Sequence, residues 1–307
     1  METPWEDADW LASAHAWIGG RLTHLGLERT GDIVSSHVTP WSTVLRVPTA
    51  TGTVWFKANS PQTQHEAAVT QILATRCPDL VPPLLASDPE TGWMLQADAG
   101  TWLRAETDEG AWLAVWGDVL PRYAELQLAT LPDTDRLRTA GVPIVTLADL
   151  PGRYREILDV VRAPKRFHDA LPRVERLCEE LAGFGIPDMI QHDDLHDGQI
   201  FLADDRAALL DWGDACLSHP FFSLSVALEG VIGWGLGDVQ DSVDVTPLRD
   251  AYLAPFEREY GAGLSLAVDI ALRLGWVCRA VNGHVPGDDG HTLTRLAMFV
   301  DGSPPAS

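Results

Sequence analysis

One loop, crowded with titratable side chains, constrains the possible folds of this chain more than any other feature of its sequence. Of the six residues from His192 to Asp197, five are aspartate or histidine. Because burial of an unpaired carboxylate is strongly unfavourable, these side chains cannot all pack into an apolar core. The loop must therefore face solvent or hold a cationic group.

A hairpin is expected directly after this loop, over residues 199–211 with a turn at residues 204–206. Since a hairpin folds back on itself, Gln199 and Asp211 should lie close together in space, with Asp194 of the loop beside them. Amide and carboxylate oxygens are hard ligands, of the kind that Mg²⁺ binds together with water and substrate phosphates. These residues therefore predict a magnesium site.

Two charged residues nearer the amino terminus stand out against apolar surroundings. Lys57 ends a strand-like run, and it is one of only two lysines among 22 basic residues, the other being Lys165 in a loop-like stretch. Because the chain otherwise uses arginine for positive charge, a retained lysine indicates a position that needs a compact ammonium group. Glu66 shares one face of a predicted helix with Val69 and Leu73, so this carboxylate needs a partner.

The apolar pattern divides the chain into a strand-rich first third and a helical remainder. Turn residues separate the first three of the predicted strands, which indicates an antiparallel meander. Strands are predicted at residues 33–34, 43–47, 53–57, 81–85 and 92–95. Ser60-Pro61 predicts the start of a helix that runs to about residue 76. Further helices are predicted near residues 111–130, 169–182, 221–232, 246–260 and 264–281.

Composition excludes several classes of protein. An apolar fraction of 46% and a charged fraction of 21% are typical of globular proteins, and 307 residues suffice for one large or two coupled domains. A net charge of −22 argues against nucleic acid as a partner, and it fits either solubility, in a generally acidic proteome, or attraction of a cationic small molecule. The four cysteines form no C-x-x-C pair, and neither a signal peptide nor a membrane span is apparent. We expect a soluble, cytoplasmic protein that does not bind membranes.

Taken in chain order, these features resemble the aminoglycoside phosphotransferase and choline kinase superfamily, which shares the protein-kinase-like fold. Residues 192–199 read HDDLHDGQ, which is similar to that family's catalytic loop H-G-D-L-H-x-G-N. Residues 211–213 read DWG and stand where kinases carry D-F-G. Lys57 and Glu66 supply the remaining pair, so the resemblance extends over residues 30 to 215.

The resemblance implies an α+β, two-lobed fold. Its amino-terminal lobe, residues 1–96, would bind a nucleotide on a small antiparallel sheet that carries one helix. A hinge would follow at residues 97–101. The larger, mainly helical lobe, residues 102–307, would hold the catalytic loop and bind the acceptor.

The resemblance also implies a reaction, the transfer of the γ-phosphate of ATP or GTP to a hydroxyl of a small molecule, with Mg²⁺. The acceptor would be an aminoglycoside or another amine-bearing compound. Asp194 would orient the acceptor hydroxyl and take its proton, while Lys57, held by Glu66, would reach the phosphates. The implied catalytic residues are Asp194, Lys57, Glu66 and His192, the last bracing the loop. The implied nucleotide contacts are Lys57, Ser42, Thr43, Gln96 and Asp98, the metal ligands are Gln199 and Asp211, and the supporting neighbours are His196 and Asp214.

Two departures from the family pattern leave alternatives open. Gln199 stands where the family has asparagine, and residues 38–43 lack the glycine-rich nucleotide loop of protein kinases. The longer amide side chain of Gln199 raises the alternative of a catalytically weak or inactive nucleotide-binding pseudokinase. A second alternative is a metal-dependent hydrolase that leaves Lys57, Glu66 and Asp211 without a role. Its residues would be His192, Asp193, His196 and Asp197.

Overall fold

A computed structural model describes residues 3–203 and 206–302 and divides the chain into two compact units. The first unit comprises Met1–Thr101 and Phe201–Gly213, and the second comprises Trp102–Ile200 and Asp214–Ser307. Part of the predicted hairpin turn, residues 204 and 205, lies outside the described residues. The secondary structure is the predicted α+β mixture, with an antiparallel sheet in the first unit and mainly helices in the second.

The strands and α-helices of the described residues occupy the following positions. The strands are β1 (Val34–Val38), β2 (Ser42–Thr49), β3 (Gly52–Asn59), β4 (Leu84–Asp88), β5 (Trp93–Ala97), β6 (Thr101–Trp102), β7 (Met189–Gln191), β8 (Ile200–Ala203), β9 (Arg206–Leu209) and β10 (Cys216–Ser218). The α-helices are α1 (Ala8–Leu25), α2 (Glu66–Arg76), α3 (Glu109–Thr130), α4 (Thr134–Thr139), α5 (Leu150–Val160), α6 (Lys165–His168), α7 (Leu171–Ala182), α8 (Thr246–Tyr260), α9 (Ser265–Asn282) and α10 (Asp289–Asp301). No helix among the described residues is long and apolar enough to cross a bilayer.

The sheet of the first unit has the order β1-β2-β3-β5-β4, and every neighbouring pair is antiparallel. The predicted meander of the first three strands is thus confirmed. Side chains alternate between the two faces of a strand, so Phe56 and Ala58 of β3 enter the core while Lys57 points to the opposite face. This alternation places the Lys57 ammonium outside the apolar layer.

A helix that the sequence analysis missed, α1, packs on the core face of this sheet. Its buried residues Ala14, Ile18 and Leu22 recur every fourth position and join one apolar cluster with Phe56. The side chain of Asp7 caps the helix by accepting hydrogen bonds from two amides of its first turn. The described residues of the first unit therefore form two α-helices instead of the predicted one.

The predicted start of α2 is wrong, because the helix begins at Glu66 and not after Ser60. The Ser60 amide donates to the carbonyl of Trp41 at 2.7 Å, which holds this residue against a neighbouring loop. The amide of Thr63 then donates to Ser60, and that of Glu66 to Thr63, so two short turns precede the first helical residue. Strand β4 also starts later than predicted, since Pro82 and Pro83 have no amide hydrogen to donate.

In the second unit, a short antiparallel pair of strands, β7 and β10, is held by a buried polar network. Nε2 of Gln127 on α3 donates to the carbonyls of Ile190 and Pro220 at 3.0 Å each. The hydroxyl of Tyr252 on α8 donates to Oε1 of the same glutamine at 2.6 Å. These contacts fix the strand from which the acidic loop departs.

The helix predicted at residues 221–232 is a π-helix over Ser225–Val231, flanked by 3₁₀ helices at Pro220–Phe222 and Ile232–Trp234. Packing against α9 explains the difference. The Ser225 hydroxyl donates to the carbonyl of Leu272 at 2.8 Å. A Cβ added at Gly275 would lie 2.0 Å from Oγ of Ser225, so the two segments approach closely there. The local sequence carries no sign of this approach.

Candidate active site

A buried ammonium group with two carboxylate partners lies in the first unit. Nζ of Lys57 lies 2.8 Å from Oε1 of Glu66 and 2.6 Å from Oδ1 of Asp211. The side chain of Lys57 is 12% exposed and that of Glu66 only 1%, whereas that of Asp211 is 49% exposed. The structure therefore brings together these three predicted residues, although 154 positions separate Lys57 from Asp211.

The local sequence explains how these side chains meet. Lys57 and Asn59 share one face of β3, because they are two residues apart. Nδ2 of Asn59 donates to Oε2 of Glu66 at 2.7 Å, so Lys57 and Asn59 each bind the Glu66 carboxylate. A Cβ at Gly213 would lie 3.3 Å from Oε2 of Glu66, so the absence of a side chain there leaves room for the carboxylate. Asn59 was missed in the sequence analysis, although its position two residues after Lys57 was a usable signal.

Burial and charge oppose each other in this cluster. Burial by itself would lower the pKa of Lys57, but the carboxylates of Asp211 and Glu66 outweigh it and raise the pKa above its ordinary value. Burial raises the pKa of Glu66, and Lys57 and Asn59 counteract that effect. The net result is a lysine that stays cationic at neutral pH and is fixed at one place, as binding of an anionic phosphate requires.

The acidic loop lies in the second unit and begins at the end of β7. His192 is fully buried, and its amide donates to the hydroxyls of Tyr123 at 2.9 Å and Ser223 at 3.1 Å. Asp193 has a φ of 64°, a left-handed conformation that aspartate tolerates better than most residues. Because the side chain of His192 has no exposed surface, its position fits bracing of the loop and not contact with a substrate.

His196 links the loop residues that follow. Its Nδ1 accepts a hydrogen bond from the amide of Gly198 at 2.9 Å and lies 2.9 Å from Nη2 of Arg104. Burial lowers the pKa of His196, so the ring is neutral at pH 7 and carries its hydrogen on Nε2. Nε2 of Gln199 lies 3.3 Å from Nε2 of His196, which places the Gln199 side-chain amide beside the ring.

At the start of the loop, Asp194 is more exposed to solvent than its neighbour Asp193. Its side chain is 27% exposed, whereas that of Asp193 is 2% exposed. Oδ1 of Asp194 lies 2.9 Å from Nη2 of Arg279, and Oδ2 lies 3.8 Å from Nε2 of His196. The carboxylate predicted to activate an acceptor is thus partly open to solvent and is paired with an arginine of α9.

The sequence analysis missed Arg279 and its neighbour Asn282, whose Nδ2 donates to Oδ2 of Asp193 at 2.8 Å. The signal for Arg279 was the one used for Glu66, a charged residue within an apolar helical pattern. The predicted supporting residue Asp214 accepts a hydrogen bond from Arg279 at 2.8 Å.

The predicted nucleotide contacts all lie in the first unit, and their side chains are mostly engaged locally. The hydroxyl of Thr43 donates to the carbonyl of His37 at 3.2 Å, and that of Ser42 lies 3.3 Å from the hydroxyl of Thr39. Both residues are buried, as is Gln96 on β5. Oδ1 of the exposed Asp98 accepts from the amide of Gly100 at 3.0 Å. Contact of these residues with a nucleotide stays a prediction.

The residues present fit Mg²⁺ in their chemistry. Asp211 offers a half-exposed carboxylate, and Gln199 offers an amide oxygen, and both are hard donors. In the described part of the chain, the one group of three ligating side chains within reach of each other is Asp193, Cys216 and Cys278. The Gln191 amide lies within that group, 2.9 Å from Sγ of Cys216 and 3.0 Å from Oδ1 of Asp193. The hydrolase alternative therefore gains no support.

A comparison with protein families gives a match over most of the chain. Residues 37–266 match the model described as the phosphotransferase enzyme family. This region includes the lysine, both carboxylates of its cluster and the whole acidic loop. No curated protein sequence matches the chain.

Several solved structures resemble the chain over most of its length. A choline kinase from Cryptosporidium parvum Iowa II has a TM-score of 0.61 at 10% identity, covering 88% of this chain and 88% of its own. The macrolide 2'-phosphotransferase apoenzyme from Brachybacterium faecium has a TM-score of 0.56 at 18% identity, covering 93% and 97%. A streptomycin–ATP ternary complex of APH(2")-IIa has a TM-score of 0.59 at 11% identity, covering 98% and 100%. These likenesses confirm the predicted protein-kinase-like fold class.

Proposed function

Because the chain belongs to the phosphotransferase enzyme family, we propose that it transfers the γ-phosphate of ATP or GTP to a hydroxyl of a small molecule. The observation that carries the proposal is the buried ammonium of Lys57, bound by both Glu66 and Asp211. Burying a charged group in this way costs desolvation free energy, and packing does not require it. A role for the cation is to bind an anionic ligand, such as a nucleoside triphosphate.

In this proposal Lys57 binds the phosphates of the nucleotide. Glu66 keeps the ammonium at one place, and Asn59 keeps the Glu66 carboxylate oriented. Since phosphoryl transfer depends mainly on positioning and charge stabilisation, a rigidly held cation contributes directly to the reaction.

Asp211 and Gln199 would hold the magnesium ion in this proposal. When bound, Mg²⁺ would neutralise charge on the phosphates. The carboxylate of Asp211 is half exposed and already lies beside Lys57, which is suitable for a residue that meets both an ion and the phosphates. The side-chain amide of Gln199 lies beside the ring of His196, with the two Nε2 atoms 3.3 Å apart.

Asp194 would act on the acceptor. Its carboxylate accepts the hydroxyl proton while the acceptor oxygen forms a bond to the γ-phosphorus. The bond from that phosphorus to the bridging β–γ oxygen breaks, and the nucleoside diphosphate leaves with the electron pair. Partial exposure of Asp194 lets an acceptor reach it, which the buried Asp193 does not allow.

The residues of the chain favour catalysis over the inactive nucleotide-binding alternative. Lys57, Asp194 and Asp211 all carry the side chains that the reaction needs. The side chain of Gln199 differs from the asparagine of the family pattern in length only, since the amide oxygen is retained. An inactive relative has no need of an accessible carboxylate at Asp194.

For the acceptor, we propose a hydroxylated compound with a positive charge. The chain carries a net charge of −22, which attracts cations. Among the similar structures, one is bound to streptomycin and another is a choline kinase, and both names denote amine-bearing, hydroxylated compounds. A macrolide phosphotransferase is among them as well, so macrolides belong in the test.

The test is an assay of phosphate transfer. The purified protein is incubated with ATP or GTP and Mg²⁺, together with streptomycin, a macrolide, choline or ethanolamine in separate reactions. A product heavier by one phosphoryl group, seen by mass spectrometry, supports the proposal. Binding of nucleotide without any turnover supports the inactive alternative. If neither nucleotide raises the melting temperature, both proposals fail.

Replacing Gln199 by asparagine is expected to leave activity within about tenfold of the unchanged protein, because the amide oxygen is kept. Replacing it by leucine removes that oxygen and should weaken Mg²⁺-dependent binding of ADP by about 10- to 100-fold. Calorimetric titration of ADP at several Mg²⁺ concentrations measures this without turnover. A hundredfold loss of activity in Gln199→Asn would show instead that the longer side chain is built into the site.

A further inference from the structure

A single buried guanidinium faces three carboxylates at the end of α9. Nη1 of Arg279 donates to Oδ2 of Asp214 at 2.8 Å and lies 3.5 Å from Oδ2 of Asp193. Nη2 lies 2.9 Å from Oδ1 of Asp194. The side chain of Arg279 is 7% exposed. One planar cation therefore connects two acids of the catalytic loop with the acid that follows residues 211–213.

The surroundings of this guanidinium keep it in one orientation. Nδ2 of Asn282 donates to both Oδ2 of Asp193 and the carbonyl of Asp214, at 2.8 Å each, and so ties together two of its three partners. A Cβ added at Gly283 would lie 2.6 Å from Nη1 of Arg279, so the space beside the group is already filled. Arg279 also lies in the last turn of α9, where the helix dipole favours a positive charge.

Electrostatics explains why the group must be cationic. Burial by itself would lower the pKa of Arg279, but the carboxylates of Asp214, Asp194 and Asp193 outweigh it and raise that pKa. Burial also raises the pKa of Asp193, and Arg279 counteracts this. Without Arg279, the three acids would lose the cation that lies against all of them, although the nearby Arg295 would still attract them.

The two oxygens of Asp194 have different surroundings. Oδ1 is paired with Arg279, whereas Oδ2 has no hydrogen-bond donor from its own unit among residues 102–200 and 214–302. Nε2 of His196 lies 3.8 Å from Oδ2, beyond hydrogen-bond distance. A general base needs this arrangement, with one oxygen fixed and the other open to the proton that it accepts.

We propose that Arg279 is a positioning residue for phosphate transfer, which holds the Asp194 carboxylate so that Oδ2 faces the acceptor hydroxyl. The inference rests on the proposed function, since it acts through the base assigned there. The planar fork of arginine serves this purpose because its two Nη atoms reach different carboxylates at once, which a lysine ammonium does not do in the same geometry.

The experiment measures ATP consumption and ADP binding in five proteins: the unchanged chain, Arg279→Lys, Arg279→Met, Asp194→Asn, and the Arg279→Met/Asp194→Asn double variant. Single-turnover conditions with Mg²⁺ and excess protein keep slow reactions measurable, with the accepted panel compound or water as acceptor. We expect Arg279→Met to lower the transfer rate about 100-fold, because a misplaced base loses its near-attack geometry. The dissociation constant of ADP should not change. Arg279→Lys should recover part of the rate, because the charge is kept.

The decisive result is the behaviour of the double variant. If Arg279 acts through Asp194, then Arg279→Met should cause no further loss once Asp194 is asparagine. An equal loss in both backgrounds, or an unchanged rate in Arg279→Met, would overturn the inference. Should Arg279→Met not fold, an Arg279→Lys variant with the full rate overturns it as well. Arg176→Met, which removes an exposed arginine paired with Glu180 on α7, controls for the substitution itself.

Failure of the proposed function is recognised separately. In that case the unchanged protein consumes no ATP with any acceptor, and the inference about Arg279 falls with it. If the unchanged protein is active and the Arg279 variants are as active, the proposed function stands and only the inference fails.

Discussion

Asparagine in place of Asp194 is expected to lower the rate of phosphate transfer by about 1,000-fold, within the range that a general base contributes. The substitution keeps the size of the side chain and removes the negative charge that accepts the proton. Nucleotide binding should persist, because the proposed phosphate and metal contacts are Lys57, Asp211 and Gln199. The rate constant from single-turnover assays and the dissociation constant of ADP from calorimetry measure the two effects separately.

A matched control for this substitution is Asp135→Asn. Asp135 belongs to the same unit, and its side chain is 93% exposed and paired only with Arg138 in the described structure. This control should retain the full rate. An Asp194→Asn variant that transfers phosphate at the rate of the control would remove Asp194 from the mechanism, whatever the comparisons with known proteins indicate.

The parts of the site that sequence reasoning predicted are those in which a local pattern contradicts its surroundings. Glu66 stands on an apolar helix face, which predicts a buried acid with a partner. In the structure its side chain is 1% exposed and is paired with Lys57. Lys57 alternates with buried core residues along β3, which the period of a strand predicts. Where the residues that form a pattern and the residue that carries the charge lie in the same short segment, the sequence alone is enough to predict that site residue.

The parts that were missed depend on contacts between distant segments. Arg279 meets Asp214 across 65 positions and Asn282 meets Asp193 across 89. The apolar pattern of α9 marks Arg279 as a charged residue that needs a partner, but no periodicity identifies that partner. The start of α2 was misplaced for the same reason, since a hydrogen bond from Ser60 to the distant Trp41 overrides a good helix-start signal. Tertiary contacts, which local propensity does not encode, decide these cases.

Replacing Lys57 by arginine is expected to lower phosphate transfer by about 100-fold, although the charge is preserved. Nζ of Lys57 lies within 2.8 Å of both Glu66 and Asp211, and Glu66 is almost fully buried. A guanidinium is wider than an ammonium, so it must displace either α2 or the segment that carries Asp211. Lys57→Met should be worse for folding, because a buried carboxylate loses its partner at a cost of about 3 kcal/mol or more. Thermal unfolding together with the transfer assay distinguishes these effects.

The chain supplies its own control for the arginine substitution, because it contains one other lysine. Lys165 is 85% exposed and paired with Asp169 on the surface, so Lys165→Arg should change neither the melting temperature nor the rate. Restoring space by combining Lys57→Arg with Glu66→Asp tests whether crowding is the cause, since the shorter acid leaves room for the wider cation. A Lys57→Arg variant as active as Lys165→Arg would show that the cluster supplies only positive charge. The requirement for a compact ammonium, and with it the reason for this rare lysine, would then be wrong.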